Sequence, residues 1–226
     1  MGKIAKSWQD FRTWILRHPR KSFVISLAGV LVISGLTGWI IENSRSKTVS
    51  DQPKNPIARQ FKAQLPSLKE KAEKNPSSFE AQRDYAVALY ATGNVKEAKT
   101  RYERALRIRK DATTYNNLAN VHRDLGDYDA AVDAYKKAIA ANPKLINPYT
   151  NLANIQLYSL NKADDAIDTY RQALKEIPND PQLQVLLALA YEKKGDIASA
   201  KQVLKSAQAA NPENKTIQAN LARIDK

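Results

Sequence analysis

The feature that most constrains this chain is a repeat. Residues 116–122 read NNLANVH and residues 150–156 read TNLANIQ, so NLAN returns after 34 residues, at Asn117 and again at Asn151. Aligned on its Leu-Ala pair, the later sequence falls into four registers: Tyr85-Ala86, Leu118-Ala119, Leu152-Ala153 and Leu187-Ala188, at steps of 33, 34 and 35. A turn follows each pair, at Gly93-Asn94, Gly126-Asp127, Leu160-Asn161 and Gly195-Asp196. Small residues come next (Ala98, Ala131, Ala166, Ala200), then Tyr102, Tyr135, Tyr170 and Leu204, then Ala105, Ala138, Ala173 and Ala207. Pro143, Pro178 and Pro212 close three units, and Lys110 takes that place in the first. Ala, Leu, Lys, Glu, Gln and Arg fill these units, and all are strong helix formers. No long alternation of β-branched and polar residues competes with them. Each unit therefore predicts two amphipathic helices that cannot bury their apolar stripes alone and must stack on a neighbour. Alanines mark the closest approach, tyrosines fill the gap between units, and the turn glycine supplies a left-handed residue at a helix end.

This constellation resembles the tetratricopeptide repeat family, over units 79–111, 112–145, 146–180 and 181–214. The third unit departs from the pattern: Leu160 stands where the turn glycine belongs and one residue is inserted before Ala166, which predicts an altered turn. The resemblance implies an all-α fold, a right-handed superhelix (an α-solenoid) whose inner wall is built from the first helix of each unit. Both ends of such a stack need covering. Residues 56–78, with Ile57, Phe61, Leu65 and Leu68, predict an N-terminal capping segment in which Pro66 breaks the helix. Residues 215–226, with Ile217, Leu221 and Ile224 at helical spacing, predict a C-terminal capping helix.

The first fifty-five residues have a different character. Residues 22–41, SFVISLAGVLVISGLTGWII, carry no charge over 20 positions. A helix of that length spans about 30 Å, the hydrocarbon thickness of a bilayer, so a single transmembrane helix precedes the repeats. A cleaved signal, leaving a secreted solenoid, is the alternative; a shorter apolar run and a small-residue cleavage site would mark it. Lys3, Lys6, Arg12, Arg17, Arg20 and Lys21 before the span outnumber Arg45, Lys47, Lys54 and Arg59 after it. That bias predicts a cytoplasmic N-terminus and repeats on the outer, periplasmic or extracellular side. Residues 1–21 form a basic tail in which Ile4, Trp8, Phe11 and Ile15 share one helical face, suited to lying on anionic lipid. Ser34 and Gly38 offer a small-xxx-small pair through which two spans could dimerise. Residues 42–55 predict a polar linker.

Charge and composition narrow the function. The net charge is +13, but residues 1–60 hold ten Lys+Arg against three Asp+Glu, so much of the basicity sits outside the repeats. There is no cysteine, which excludes disulfides, thiolate nucleophiles and cysteine metal sites. All 7 glycines fall in the tail, the span or the turns, leaving none for a phosphate-cradling loop. No pattern of catalytic residues stands out, and no cofactor or metal is expected.

The resemblance places certain first-helix positions on the inner wall. In this chain they include Arg83, Tyr90, Asn116, Asn117, Asn120, Arg123, Asn151, Asn154 and Tyr158, the candidate peptide-binding groove. A row of amides offers donors and acceptors for the backbone of an extended peptide. The resemblance also supplies a carboxylate clamp in some relatives, but here the matching positions are Asn116, Asn120, Asn151, Gln182 and Leu186, without its cations. A second candidate surface is a basic patch, Lys99, Arg101, Arg104, Arg107, Arg109 and Lys110, open to an acidic partner, lipid headgroups or RNA. Packing of Tyr102, Tyr135 and Tyr170 between units argues against a stacking platform for nucleic acid. The expectation is a membrane-tethered, non-enzymatic scaffold binding a protein or extended peptide in envelope complex assembly, secretion or maturation.

Overall fold

The computed structural model describes residues 56–225. The basic tail, the apolar span with its Ser34/Gly38 pair and the linker lie outside the described residues. Among those described, no helix is long and apolar enough to cross a membrane. The helices are α1 (Pro56–Lys74), α2 (Phe79–Ala91), α3 (Val95–Ile108), α4 (Ala112–Asp124), α5 (Tyr128–Ala141), α6 (Ile146–Asn154), α7 (Ala163–Glu176), α8 (Pro181–Lys194), α9 (Ile197–Ala210) and α10 (Lys215–Ile224). A π-helical turn, Ile155–Ser159, extends α6. Four hairpins result, α2–α3, α4–α5, α6–α7 and α8–α9, flanked by α1 and α10, and each packs on the next.

Side-chain caps begin most of the first helices. Ser78 accepts from the Ala81 amide at 3.2 Å, Asp111 from Thr114 at 2.7 Å, Asp180 from Leu183 at 2.8 Å, and Asn214 from Ile217 at 3.1 Å. Each such cap stabilises its helix by about 1 kcal/mol. α6 is the exception, entered from Leu145 with no side-chain cap.

The repeated alanines sit where the hairpins close. Ala98, Ala131, Ala166 and Ala200, and Ala105, Ala138, Ala173 and Ala207, are all 0 % exposed. At full burial and interior packing density, a larger side chain has no room unless the helices separate. Tyr102, Tyr135 and Tyr170 are buried as well. Gly93, Gly126 and Gly195 take φ of 85°, 81° and 90°, and a Cβ there would meet nothing within 4 Å. Glycine is therefore needed at these turns for conformation rather than for space.

The third hairpin solves its turn differently. The Leu160 amide donates to the Ile155 carbonyl five residues back, at 2.9 Å, and Lys162 donates to Gln156. This widened turn accommodates the residue inserted before Ala166, so Leu152, Ala153 and Ala166 all stay buried. The left-handed residue is Asn161, with φ 54°, one place later than the glycine register would put it. Asparagine is the non-glycine residue best suited to that conformation.

One expectation fails. Pro66 does not break the capping helix, because α1 runs unbroken through it. Pro66 is exposed, so the backbone bond it removes lies where water can replace it.

The apolar interior forms two clusters. One joins α1, α2 and α3 to Leu118 and Val121; the other runs from Ala119 through α5–α10. They meet at α4, which carries three of the buried polar side chains, Thr114, Asn116 and His122.

Candidate functional site

The inner-wall asparagines form a ladder. Asn151 Nδ2 donates to Asn116 Oδ1 at 3.2 Å and to Asn120 Oδ1 at 3.3 Å, linking α6 to α4. The Tyr135 hydroxyl donates to the same Asn120 oxygen at 2.5 Å, and Tyr170 donates to Asn154 at 3.4 Å. Tyr102 is bonded by Asn117 in the opposite sense, the amide donating to the phenol oxygen, which works against the rise that burial causes. Each packing tyrosine of a second helix thus fastens to a first-helix amide. Burial raises the Tyr135 phenol to about 12 and pushes Tyr102 and Tyr170 upward too, so all three remain protonated at neutral pH.

The asparagines are therefore not free side chains awaiting a peptide, as their spacing suggests. They are partly consumed in holding neighbouring units in register. An amide has two hydrogens and one oxygen with two lone pairs. Asn151 uses both hydrogens and keeps its oxygen; Asn120 uses its oxygen twice and keeps its NH2 group. Asn116 is only 7 % exposed, whereas Asn154 is open to solvent. What stays uncommitted is the remaining half of the partly exposed Asn120 and Asn151 amides, held in fixed orientation.

The charged members of the predicted wall are paired. Arg83 donates to Asp84 at 2.7 and 3.0 Å, and its guanidinium lies 5.4 Å from the Phe79 ring. Arg123 and Tyr90 both donate to Asp124, at 2.9 and 2.6 Å. That contact ties the first unit to the second, since Tyr90 and Asp124 belong to successive first helices. Burial first, and then the bond to Asp124, raise Tyr90 to about 12. Tyr158, on the π-helical turn, is 65 % exposed and is the most exposed large apolar side chain among the described residues.

The basic patch does not form one face. Arg101 packs 5.0 Å from the Tyr85 ring and pairs with Glu97 at 3.7 Å. Arg109 lies 3.8 Å over Phe79 and pairs with Glu80 at 3.0 Å. Residues at a 2- or 5-residue separation point to different sides of a helix, which is why six basic residues in twelve cannot share a stripe. Lys99 and Arg104 are half-buried, and Arg107 and Lys110 are exposed.

The repeat pattern does not single out Asp124, Glu192, Asn220 or Arg223, which the structure brings to the wall. Arg223 of α10 grips Glu192 of α8 through both carboxylate oxygens, at 2.5 and 2.7 Å. That bond, chiefly, holds the Glu192 carboxyl below its ordinary range. The 34-residue interval between Tyr90 and Asp124 was the available signal for the first of these.

The hairpin stack, its buried alanines and its tyrosine-to-amide fastening define a helical-repeat binding protein. Tetratricopeptide repeat models match residues 77–144, 111–175 and 157–224, so the matches together run from 77 to 224. The chain belongs to the tetratricopeptide repeat family. Among curated relatives, a photosystem I assembly protein, Ycf3, from Synechococcus sp. (strain CC9605) is 32 % identical over 91 residues, covering 39 % of this chain and 53 % of that protein. The human protein O-mannosyl-transferase TMTC1 is 26 % identical over 170 residues, 74 % of this chain but 19 % of the transferase. The chain thus spans about half or less of the length of these relatives. Among solved structures, MamA superposes with a TM-score of 0.60 at 22 % identity, over 68 % of this chain and 84 % of MamA. YrrB, described as having an unusual peptide-binding site, gives 0.56 at 17 % identity, over 71 % and 83 %. These structural likenesses establish the fold.

Proposed function

We propose that this protein is a scaffold that holds an extended segment of a protein partner along its inner wall, close to a membrane surface. The observation that carries the reading is the amide ladder. Half of each Asn120 and Asn151 amide is locked into bonds within the stack, with buried Asn116 as one of the partners, so the other half of these two partly exposed side chains presents a donor and an acceptor already ordered for a peptide backbone. Preordered groups lose little freedom on binding, which favours affinity. The family supports the general role: Ycf3 is by name an assembly protein, and YrrB by description has a peptide-binding site.

The membrane part rests on the sequence. The uncharged run 22–41 and the cations before it support an anchor with the N-terminus cytoplasmic and the repeats outside. Tethering raises the effective concentration of the wall toward partners in the same membrane. Assembly or maturation of an envelope complex is the task this arrangement suits.

Two measurements test it. Binding of the full chain to an array of unstructured peptides should weaken about tenfold in Asn151→Ala, with helix content by circular dichroism unchanged. Equal binding by the variant removes the ladder from the recognition surface. Alkaline carbonate extraction and a reporter fused after Lys226 test the anchor: a protein released by carbonate, or a reporter active in the cytoplasm, refutes that half of the reading.

A further inference from the structure

We infer that the C-terminal half of the wall selects peptides in which an apolar side chain and a carboxylate stand about three residues apart. The inference rests on the peptide-binding reading and gives it a specificity. Where α4 shows Asn116, Asn117 and Asn120 to the wall, α8 shows Val185, Leu186 and Leu189 at the equivalent positions. Leu186 and Leu189 are only partly buried, although they pack against the core. A depression of about 380 Å³ opens there, walled by Pro181, Val185 and Leu186 of α8 and by Thr216 of α10. Its lining is mostly apolar, and its size suits one leucine or phenylalanine side chain.

A second, shallower depression of about 440 Å³ lies further along α8, between Tyr158, Leu189, Lys193 and Arg223. Its charges are unequal. Arg223 is neutralised by Glu192 through two bonds, whereas Lys193 is exposed and makes no ion pair among the described residues. The other wall cations, Arg83 and Arg123, are each tied to the aspartate that follows them. Among the described wall cations, Lys193 is therefore the one left for a ligand. Asp180, on the rim of the apolar depression, is occupied at one oxygen by the Leu183 amide and makes no ion pair among the described residues. A ligand carboxylate is thus repelled at the Asp180 end and attracted at the Lys193 end.

The spacing follows from helix geometry. Leu186 and Lys193 are seven residues apart, which at 1.5 Å per residue is about 10 Å. An extended chain advances about 3.3 Å per residue and covers that distance in about three. The charge and the spacing fix the pair of groups, not the direction in which the peptide runs.

The test uses the full chain in detergent and fluorescein-labelled glycine–serine peptides. Each carries one leucine and one aspartate, in either order, at separations from one to five residues; a matched set carries lysine for aspartate, and a control has leucine alone. Fluorescence anisotropy should show tightest binding at a separation of three. The aspartate peptide should bind about tenfold tighter than its lysine counterpart, with the advantage shrinking in high salt. Lys193→Glu should reverse the preference and leave the leucine-only peptide unaffected. Equal binding of aspartate and lysine peptides, no dependence on separation, or an unchanged preference in Lys193→Glu overturns this inference and leaves peptide binding intact. Failure of every peptide, leucine-only included, overturns the peptide-binding reading along with it. Lys193 is exposed, so its replacement leaves folding intact, which a thermal melt of the variant checks.

Discussion

α4 and α8 are the first helices of the second and fourth units, and they build the same wall from opposite chemistry. α4 carries Asn116, Asn117 and Asn120, and buries Thr114, Asn116 and His122. α8 carries Val185, Leu186 and Leu189 in their place, and its buried residues are all apolar except the tyrosine hydroxyl. Yet both helices begin with an aspartate cap, end near a left-handed glycine, and pack against a second helix through fully buried alanines. The frame thus depends on the alanine, glycine and cap positions. The wall depends on the residues between them, and these can change from amide to aliphatic without moving the helix. One consequence is a division of labour. The α4 half spends its wall amides on inter-unit bonds, while the α8 half leaves its wall positions apolar and makes its directed bonds to neighbours nearer the helix end, at Tyr191, Glu192 and Lys194.

The largest effect that would test this division comes from Leu183, 0 % exposed in α8. Leu183→Ala should destabilise the chain by about 2–5 kcal/mol, read from urea unfolding followed by circular dichroism. A loss below 1 kcal/mol on the same order-of-magnitude scale would mean that burial does not hold the C-terminal half. Next is Asn120→Ala, which leaves the Tyr135 hydroxyl and the Asn151 amide without their shared acceptor. The expected cost is about 1–3 kcal/mol in the same assay, and no cost would show that the ladder is ornamental to stability. Gly126→Ala should cost about 1–2 kcal/mol, since the penalty is the left-handed backbone alone. The smallest effect is a gain. Asn161→Gly at the π-helical turn should stabilise by a few tenths of a kcal/mol, up to about 1, by relieving the same conformation in the third hairpin. A destabilised Asn161→Gly would mean that the asparagine side chain, not its backbone, serves the turn.

Much of the frame was legible in the residues. Repetition at 33–35 residues marks helix pairs because a helical hairpin has a set length, and alanine recurring in register marks a contact with no room to spare. The π-helical turn was half legible: the inserted residue announced a departure at Leu160, but only the backbone shows that Asn161 takes the left-handed position. Pro66 misled, because a proline breaks a helix only where its lost bond cannot be replaced, and exposure is not written in the local sequence. The candidate wall was legible as a set of positions and not as a set of states. Arg101 and Arg109 look available in KTRYERALRIRK, yet each is turned onto an aromatic ring belonging to α2.

By itself, the order of residues determined that these helices must stack, since each has an apolar stripe it cannot cover alone. It also determined where the chain turns, since glycine, asparagine and proline act through their own backbones. Which polar groups remain for a partner was decided only in the folded stack. A hydrogen bond or an ion pair between units joins residues some thirty positions apart, and the availability of each group depends on what the neighbouring helix brings against it.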